Sequence, residues 1–239
     1  MPSLKQSIRR LPVLGPLAAE LYWRVRRRAP FPGSAKYWDQ RYAAGGTSGA
    51  GSYNRLAAFK AEVLNGFVAE HGITRVLEFG CGDGAQLSLA TYENYVGVDV
   101  APSAVALCRA RFGDGPTKCF YVAGELPAEI DAELTLSLDV IYHLVEDEVY
   151  ERYLQELFAR SRRFVCLYSS NEDRIAREKH VRHRHIEAWI GRNAPGWTLL
   201  RHVPNRYPHD PADPGNTSFA DFFFYERSVP PEGGHALHL

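Results

Sequence analysis

The chain has 239 residues, a formal net charge of zero and 45% hydrophobic residues, including four tryptophans. That is enough apolar mass for one large domain with a full core, and the charge balance gives no sign of a nucleic-acid partner. No apolar run approaches the ~18 residues of a membrane-spanning helix. The four cysteines, Cys81, Cys108, Cys119 and Cys166, lack metal-ligand spacing and read as reduced thiols of a cytoplasmic protein.

Charge is unevenly placed. Residues 1–33 carry Lys5, Arg9, Arg10, Arg24, Arg26, Arg27 and Arg28 against Glu20 alone. The apolar stretch 11–19 imitates a signal peptide, but Pro12, Gly15 and Pro16 break it and more arginines follow. A basic arm is expected here, packed on the domain or on the second copy of a homodimer, with contact to a membrane surface as a third option. Residues 34–72 are expected to form a cap. A Gly/Ser-rich loop (44–53) precedes a helix from residue 54 to 71, whose apolar positions Leu56, Phe59, Val63, Leu64, Phe67 and Val68 follow helical spacing.

Residues 73–228 form the expected main domain, and 229–239 a flexible tail. An apolar strand over 75–79 runs into Gly80-Cys81-Gly82-Asp83-Gly84, where alternate glycines let a ligand approach the backbone. A second strand over 95–98 ends in Asp99, 21 residues after Glu78. That is close to the spacing at which a nucleotide fold places an acid on ribose hydroxyls. Asp83 within the turn and Glu78 before it disfavour a pyrophosphate, which a helix N-terminus would otherwise hold. They suit a cationic, phosphate-free cofactor.

Further on, Pro102 and Ser103 open a helix reaching Phe112. Strands are expected over 118–122, 134–138, 164–168, 197–203 and 218–227, with helices over 148–161 and 186–193. Asp139 ends the fourth strand and is followed by Tyr142 and His143. Ser169-Ser170-Asn171-Glu172-Asp173 follow the fifth. Both strands thus deliver carboxylates to one rim, at the sheet edge where open α/β folds bind ligands. Residues 174–187 mix His180, His183 and His185 with Arg174, Arg177, Arg182 and Arg184, which reads as a solvated basic face or a surface for hydroxyl-rich or phosphorylated ligands. Tyr142, Trp189, Tyr207 and His209 are candidates for stacking on a sugar ring.

The run Glu78-Phe79-Gly80-Cys81-Gly82-Asp83-Gly84, with Gly97-Val98-Asp99 closing the next strand, resembles the two cofactor motifs of class I S-adenosylmethionine (SAM) dependent methyltransferases. The resemblance spans roughly residues 37–226 and is strongest over 75–173. It implies an α/β, Rossmann-like, seven-stranded doubly wound sheet with an N-terminal helical cap and an antiparallel edge hairpin. It also implies SAM contacts from Glu78, Gly80, Cys81, Gly82, Asp99, Val100, Gly124 and Glu125, and from Tyr53 and Arg55 of the cap, Arg55 meeting the cofactor carboxylate.

The segment Ser137-Leu138-Asp139-Val140-Ile141-Tyr142-His143-Leu144, with His180-Val181-Arg182-His183-Arg184, resembles bacterial sugar and polysaccharide O-methyltransferases, the mycobacterial methylmannose-polysaccharide enzymes among them. That resemblance implies a small or oligomeric saccharide acceptor contacted by Tyr142, His180, Arg182 and His183, with His143 as general base beside Asp139. The metal-dependent members further imply Mg²⁺ on Asp139, Glu172 and Asp173, although Asp139 and His143 lie one residue further apart here. N-methylation of an amino sugar or small amine, and a SAM-binding partner without catalysis, are the alternatives. A nucleic-acid methyltransferase is disfavoured, because no Asn/Asp-Pro-Pro-Tyr loop follows the fourth strand.

Overall fold

The computed structural model describes residues 30–176 and 178–228. The chain divides after Pro32. The basic arm lies almost wholly outside the described residues, as do Arg177 and the tail.

Seven strands form one sheet: β1 (Arg75–Phe79), β2 (Asn94–Asp99), β3 (Lys118–Val122), β4 (Ala132–Leu138), β5 (Ser161–Ser169), β8 (Trp197–Val203) and β9 (Asp221–Arg227). Their order is β3-β2-β1-β4-β5-β9-β8. β1 to β5 are parallel, and β9 inserts antiparallel between β5 and β8. The expected edge hairpin is therefore present. The chain leaves β1 in one direction to β2 and β3 and later returns on its other side to β4. This puts a crevice at the carboxyl ends of β1 and β4.

Alternating side chains send strand residues to two cores. On one face Leu134, Leu136, Phe164, Cys166, Phe222 and Phe224 pack against α2 (Asn54–Glu70) and α3 (Pro102–Phe112). Phe67 of α2 stacks on Phe224 with ring centroids 4.2 Å apart and meets Phe164 edge-on at 5.3 Å. On the other face Leu77, Val165, Leu167, Phe223 and Tyr225 pack against α4 (Asp147–Ala159) and α5 (Ile186–Asn193). Trp189 of α5 is 3% exposed in this second core, so it cannot stack on a sugar. A short antiparallel pair, β6 (Arg174–Ile175) and β7 (Arg182–His183), stands apart from the sheet.

Residues 34–43, expected only as the start of a loop-rich cap, form a further helix, α1 (Ser34–Ala43). Its first residue and its middle are tied to different segments. At its start the Ser34 N–H donates to Glu146 at 2.8 Å, and the Ser34 hydroxyl lies 2.6 Å from the other oxygen of that carboxylate. An acid from 112 residues away thus satisfies the amino end of this helix. On its other side Asp39 accepts the N–H and hydroxyl of Ser103 at the start of α3. Replacing Ser34 by Ala removes the hydroxyl from this arrangement at about 1 kcal/mol. The melting temperature should fall by roughly 2–4 °C, measured by calorimetry on the full chain.

Candidate active site

The turn after β1 is left-handed at three alternate positions, with φ of +86° at Gly80, +56° at Gly82 and +71° at Gly84. Side chains rarely tolerate this backbone. Space enforces the same choice. A Cβ on Gly80 would lie 2.3 Å from Val140 Cγ2, and one on Gly82 2.3 Å from Ser48 Oγ. Val140 and the cap loop thus lie directly on the main chain between the ends of β1 and β4, and a turn free of side chains is a cradle that fits a cofactor lying equally close to the backbone.

Asp99 closes β2 beside it. Its carboxylate accepts the N–H groups of Gly82 and Ala101, each at 2.9 Å. Burial raises its pKa to about 6, and those two N–H groups together with that of Val100 hold it from rising further. Val100, next in the chain, is 42% exposed, and the neighbouring Gly124 has φ +91° with Glu125 exposed beside it. This is the apolar-and-polar rim expected to flank an adenine. Glu78 lies in the core below. It is 4% exposed, accepts the Tyr95 hydroxyl at 2.7 Å, and burial raises its pKa to about 7. Cys81 is also buried, next to Cys108, whose thiol donates to the Gly82 carbonyl at 3.2 Å.

Asp83 turns outward to the cap. It accepts the Tyr53 hydroxyl at 2.6 Å and the Ser48 N–H at 2.9 Å, while its own N–H donates to Ser48 Oγ. Burial opposes ionisation of Asp83, but these donors and the Ala85 N–H outweigh it, and its pKa is lowered. Tyr53, expected to contact the cofactor, instead spends its hydroxyl on Asp83 of the glycine turn. Arg55 is engaged elsewhere. Its guanidinium donates to the Asn216 carbonyl at 2.6 Å, pairs with Asp213 and lies over Tyr207, so it ties α2 to the loop before β9.

Asp139 stands across the crevice at φ +59°, one of two non-glycine residues with positive φ among those described. Strain of this kind is kept where neighbours over-determine the conformation. Here Tyr142 donates to Oδ1 at 2.7 Å and Lys60 to Oδ2 at 2.6 Å. Lys60, at 0% exposure, was not anticipated. It sits four residues from both Leu56 and Leu64, on the apolar stripe of α2, and that position was the available signal.

The expected metal set does not assemble. Asp139 is paired with Lys60, Glu172 with Arg174 at 2.8 Å, and Asp173 accepts the His185 N–H. Among the described residues no three His, Cys, Asp or Glu side chains are grouped to hold an ion. The donor set does not fit Mg²⁺, which needs several oxygens free to face it.

His143 ends a 3₁₀ turn (Ile141–His143). Its Nδ1 is 2.9 Å from the His180 carbonyl, which only accepts, so Nδ1 carries the proton and Nε2 the lone pair. Trp38 meets the ring edge-on at 4.8 Å, and His180 lies parallel at 5.4 Å with Tyr37 stacked beyond it. Burial among these rings lowers the His143 pKa to about 4, against the upward pull of the His180 carbonyl.

The His/Arg segment is largely built into the structure. Arg182 and Arg184 bond the carbonyls of residues 144 and 145 and both pair with Asp147, bracing the turn that carries His143. His183 is 3% exposed. Because Arg174 can only donate to its Nε2, its Nδ1–H donates to Ser170 Oγ at 2.7 Å. Burial and Arg174 lower its pKa. Arg182 and His183 are therefore occupied, whereas His180 and Tyr142 lie beside His143.

No protein-family model matches the chain, and no curated protein matches it significantly. Solved structures do. The N-methyltransferase NodS from Bradyrhizobium japonicum WM9, in complex with S-adenosyl-L-homocysteine, aligns with TM-score 0.64 at 14% identity. It covers 82% of this chain and 100% of that one. Magnesium protoporphyrin IX methyltransferase from Synechocystis PCC 6803, with the same molecule bound, aligns with TM-score 0.56 at 15% identity, over 73% and 85%. CalS10, an amino pentose methyltransferase from Micromonospora echinaspora, gives 0.51 at 14%, over 72% and 89%.

The Asp83 clamp generates a prediction. Asp83→Asn removes the charge that holds both Tyr53 and Ser48, and amide hydrogen exchange over residues 44–53 should quicken about tenfold. Because the Asp83 pKa is depressed, the wild-type clamp is complete above the ordinary aspartate range and weakens as pH falls through the lowered value. With the sheet order and these neighbours taken together, the chain has the Rossmann-like fold of class I SAM-dependent methyltransferases.

Proposed function

We propose that this protein is a SAM-dependent methyltransferase that methylates a hydroxyl of a small or oligomeric saccharide, with His143 as general base. The observation that carries the reading is the His143 ring. It is neutral at physiological pH, its tautomer is set by the His180 carbonyl, and it ends the turn that follows Asp139 and Val140, the residue packed against Gly80.

SAM, when bound, supplies a methyl group on a positively charged sulfur that leaves with the bonding electron pair. Gly80 and Gly82 would hold it through main chain, Asp99 would accept from the ribose hydroxyls, and Val100 with Glu125 would flank the adenine. As the acceptor oxygen is methylated, His143 Nε2 would take its hydroxyl proton. Catalysis is then chiefly alignment of acceptor and leaving sulfur, with the base removing the proton as positive charge builds on oxygen. Tyr37 and Trp38 around His143 offer the aromatic faces, and Asp139 and His180 the polar groups, that suit a sugar ring, while Tyr142, 8% exposed, holds Asp139 in place.

The test is transfer of labelled methyl from SAM to a panel of mono- and oligosaccharides. His143→Ala should lower turnover at least about 100-fold with little change in SAM affinity. In the wild type, with SAM held saturating at every pH, kcat/KM for the acceptor should be level from neutral pH down to about 5 and fall around 4, following the His143 value. An acid limb at the ordinary histidine value would remove His143 from the role. An amine acceptor needs no base, so turnover that survives His143→Ala would favour N-methylation. Two of the neighbours described above, NodS and CalS10, carry N-methyltransferase and amino pentose methyltransferase in their names.

Asp99 gives a separate expectation for the cofactor. Its carboxylate is ionised above about 6 and takes a proton below that value. SAM affinity, measured by calorimetry, should therefore weaken by about tenfold between pH 7 and pH 5. Asp99→Asn should be weak at both and lose most of that dependence.

A further inference from the structure

We propose that the Lys60 ammonium takes the place of a divalent cation at the acceptor rim, so that the chain itself holds and neutralises Asp139 and methyl transfer runs without a metal. This rests on the methyl-transfer reading above and assigns Lys60 as a positioning residue that acts through Asp139.

Three observations bear on the pair, two of them at one carboxylate oxygen. Lys60 Nζ is 2.6 Å from Asp139 Oδ2, and Lys60 has no exposed surface. The ammonium also lies 5.1 Å from the centre of the Tyr168 ring, a second site of attraction that keeps it in place. From above, the cap loop crowds the same oxygen, since a Cβ on Gly51 would come within 2.6 Å of it. A metal ion at Oδ2 would meet the ammonium at close range in a low-dielectric site, where like charges repel strongly. The other oxygen accepts the Tyr142 hydroxyl.

The remaining acids of the rim are engaged elsewhere, Glu172 by Arg174 and Asp173 by the His185 N–H. Lys60 therefore supplies what a cation would supply to Asp139. It compensates the charge, fixes the carboxylate at a strained backbone position, and leaves it 14% exposed toward the crevice. Unlike a metal, a buried ammonium cannot also bind the acceptor oxygen. The acidity of that oxygen must then be met by His143.

Mn²⁺, followed by its paramagnetic resonance signal with the full chain and saturating SAM, is the probe. The wild type should bind none at Asp139, and its turnover should be unchanged in EDTA. Lys60→Met leaves an uncompensated carboxylate. It should gain Mn²⁺ affinity by about tenfold or more and lose turnover by about as much. The gain should vanish in Lys60→Met/Asp139→Asn, while Lys60→Arg, which keeps the charge, should retain metal-independent turnover.

If Lys60→Met does not fold, the double variant, with both charges gone, should fold and bind no Mn²⁺, and Lys60→Arg carries the activity arm. Mn²⁺ bound by the wild type and released by Asp139→Asn, or wild-type turnover lost in EDTA and restored by Mg²⁺, would overturn the proposal. So would Lys60→Met with wild-type turnover and no gain in Mn²⁺ affinity. The Mn²⁺ readout needs no acceptor. A wild type inactive on every saccharide would count against the reaction proposed above while this arm still decides the role of Lys60.

Discussion

The arrangement of the site depends on a single buried ion pair between the cap helix α2 and the carboxyl end of β4, Lys60 with Asp139. Neither charge is tolerable there alone, since removing one partner of a buried pair costs about 3–5 kcal/mol. Both must therefore be present when the cap closes on the sheet. The pair fixes Asp139 at positive φ, and that backbone leads directly into the turn bearing Tyr142 and His143. Ser34 and Glu146 then tie α1 to the end of the same turn. A chain of polar contacts thus runs from the cap through Asp139 to the candidate base, over a floor of apolar core.

Two aspartates flank the glycine turn and are set apart by what surrounds them. Asp99 is in the protein interior, where burial raises its pKa to about 6 despite the main-chain N–H groups aimed at it. Asp83, three residues on from Gly80, meets hydroxyl and N–H donors of the cap, and its pKa is lowered. One carboxylate closes a strand and is held from within by the N–H groups of Gly82 and Ala101. The other is spent on holding the lid in position. Residue type alone could not divide these roles, because both acids stand within a few residues of the same turn in space.

What was legible in the sequence was local or periodic. The central strands β1, β2 and β4 are mostly apolar runs that are buried, the glycine turn advertises its backbone, and the edge hairpin follows from two more strands with a loop between them. Contacts between distant segments were not legible. Helix α1 has only a short apolar stripe, Trp38 and Tyr42, and its start is satisfied by an acid 112 residues away, so little nearby signals it. Lys60 lies between Phe59 and Ala61 and reads as an ordinary surface lysine until its spacing from Leu56 and Leu64 is noticed. Alternating histidines and arginines over 180–185 read as a solvated face. The fold instead spends Arg182 and Arg184 on carbonyls and on Asp147.

A base with a pKa near 4 looks poorly matched to an alcohol, whose proton is held about as tightly as that of water (pKa ~15.7). The order of events resolves this. Proton loss before bond formation would require a strong base, which aromatic walls and burial deny to His143. In a displacement at carbon, the oxygen becomes acidic only as it shares its electrons with the methyl group, and an alkylated hydroxyl is a strong acid. A weak base held at the right point then suffices. Its low pKa has a compensating benefit, because the ring stays unprotonated and uncharged beside a cofactor that is itself cationic. In the proposed reaction, burial would suit His143 to late proton removal, and placement by His180, Trp38 and the Arg-braced turn would substitute for basicity.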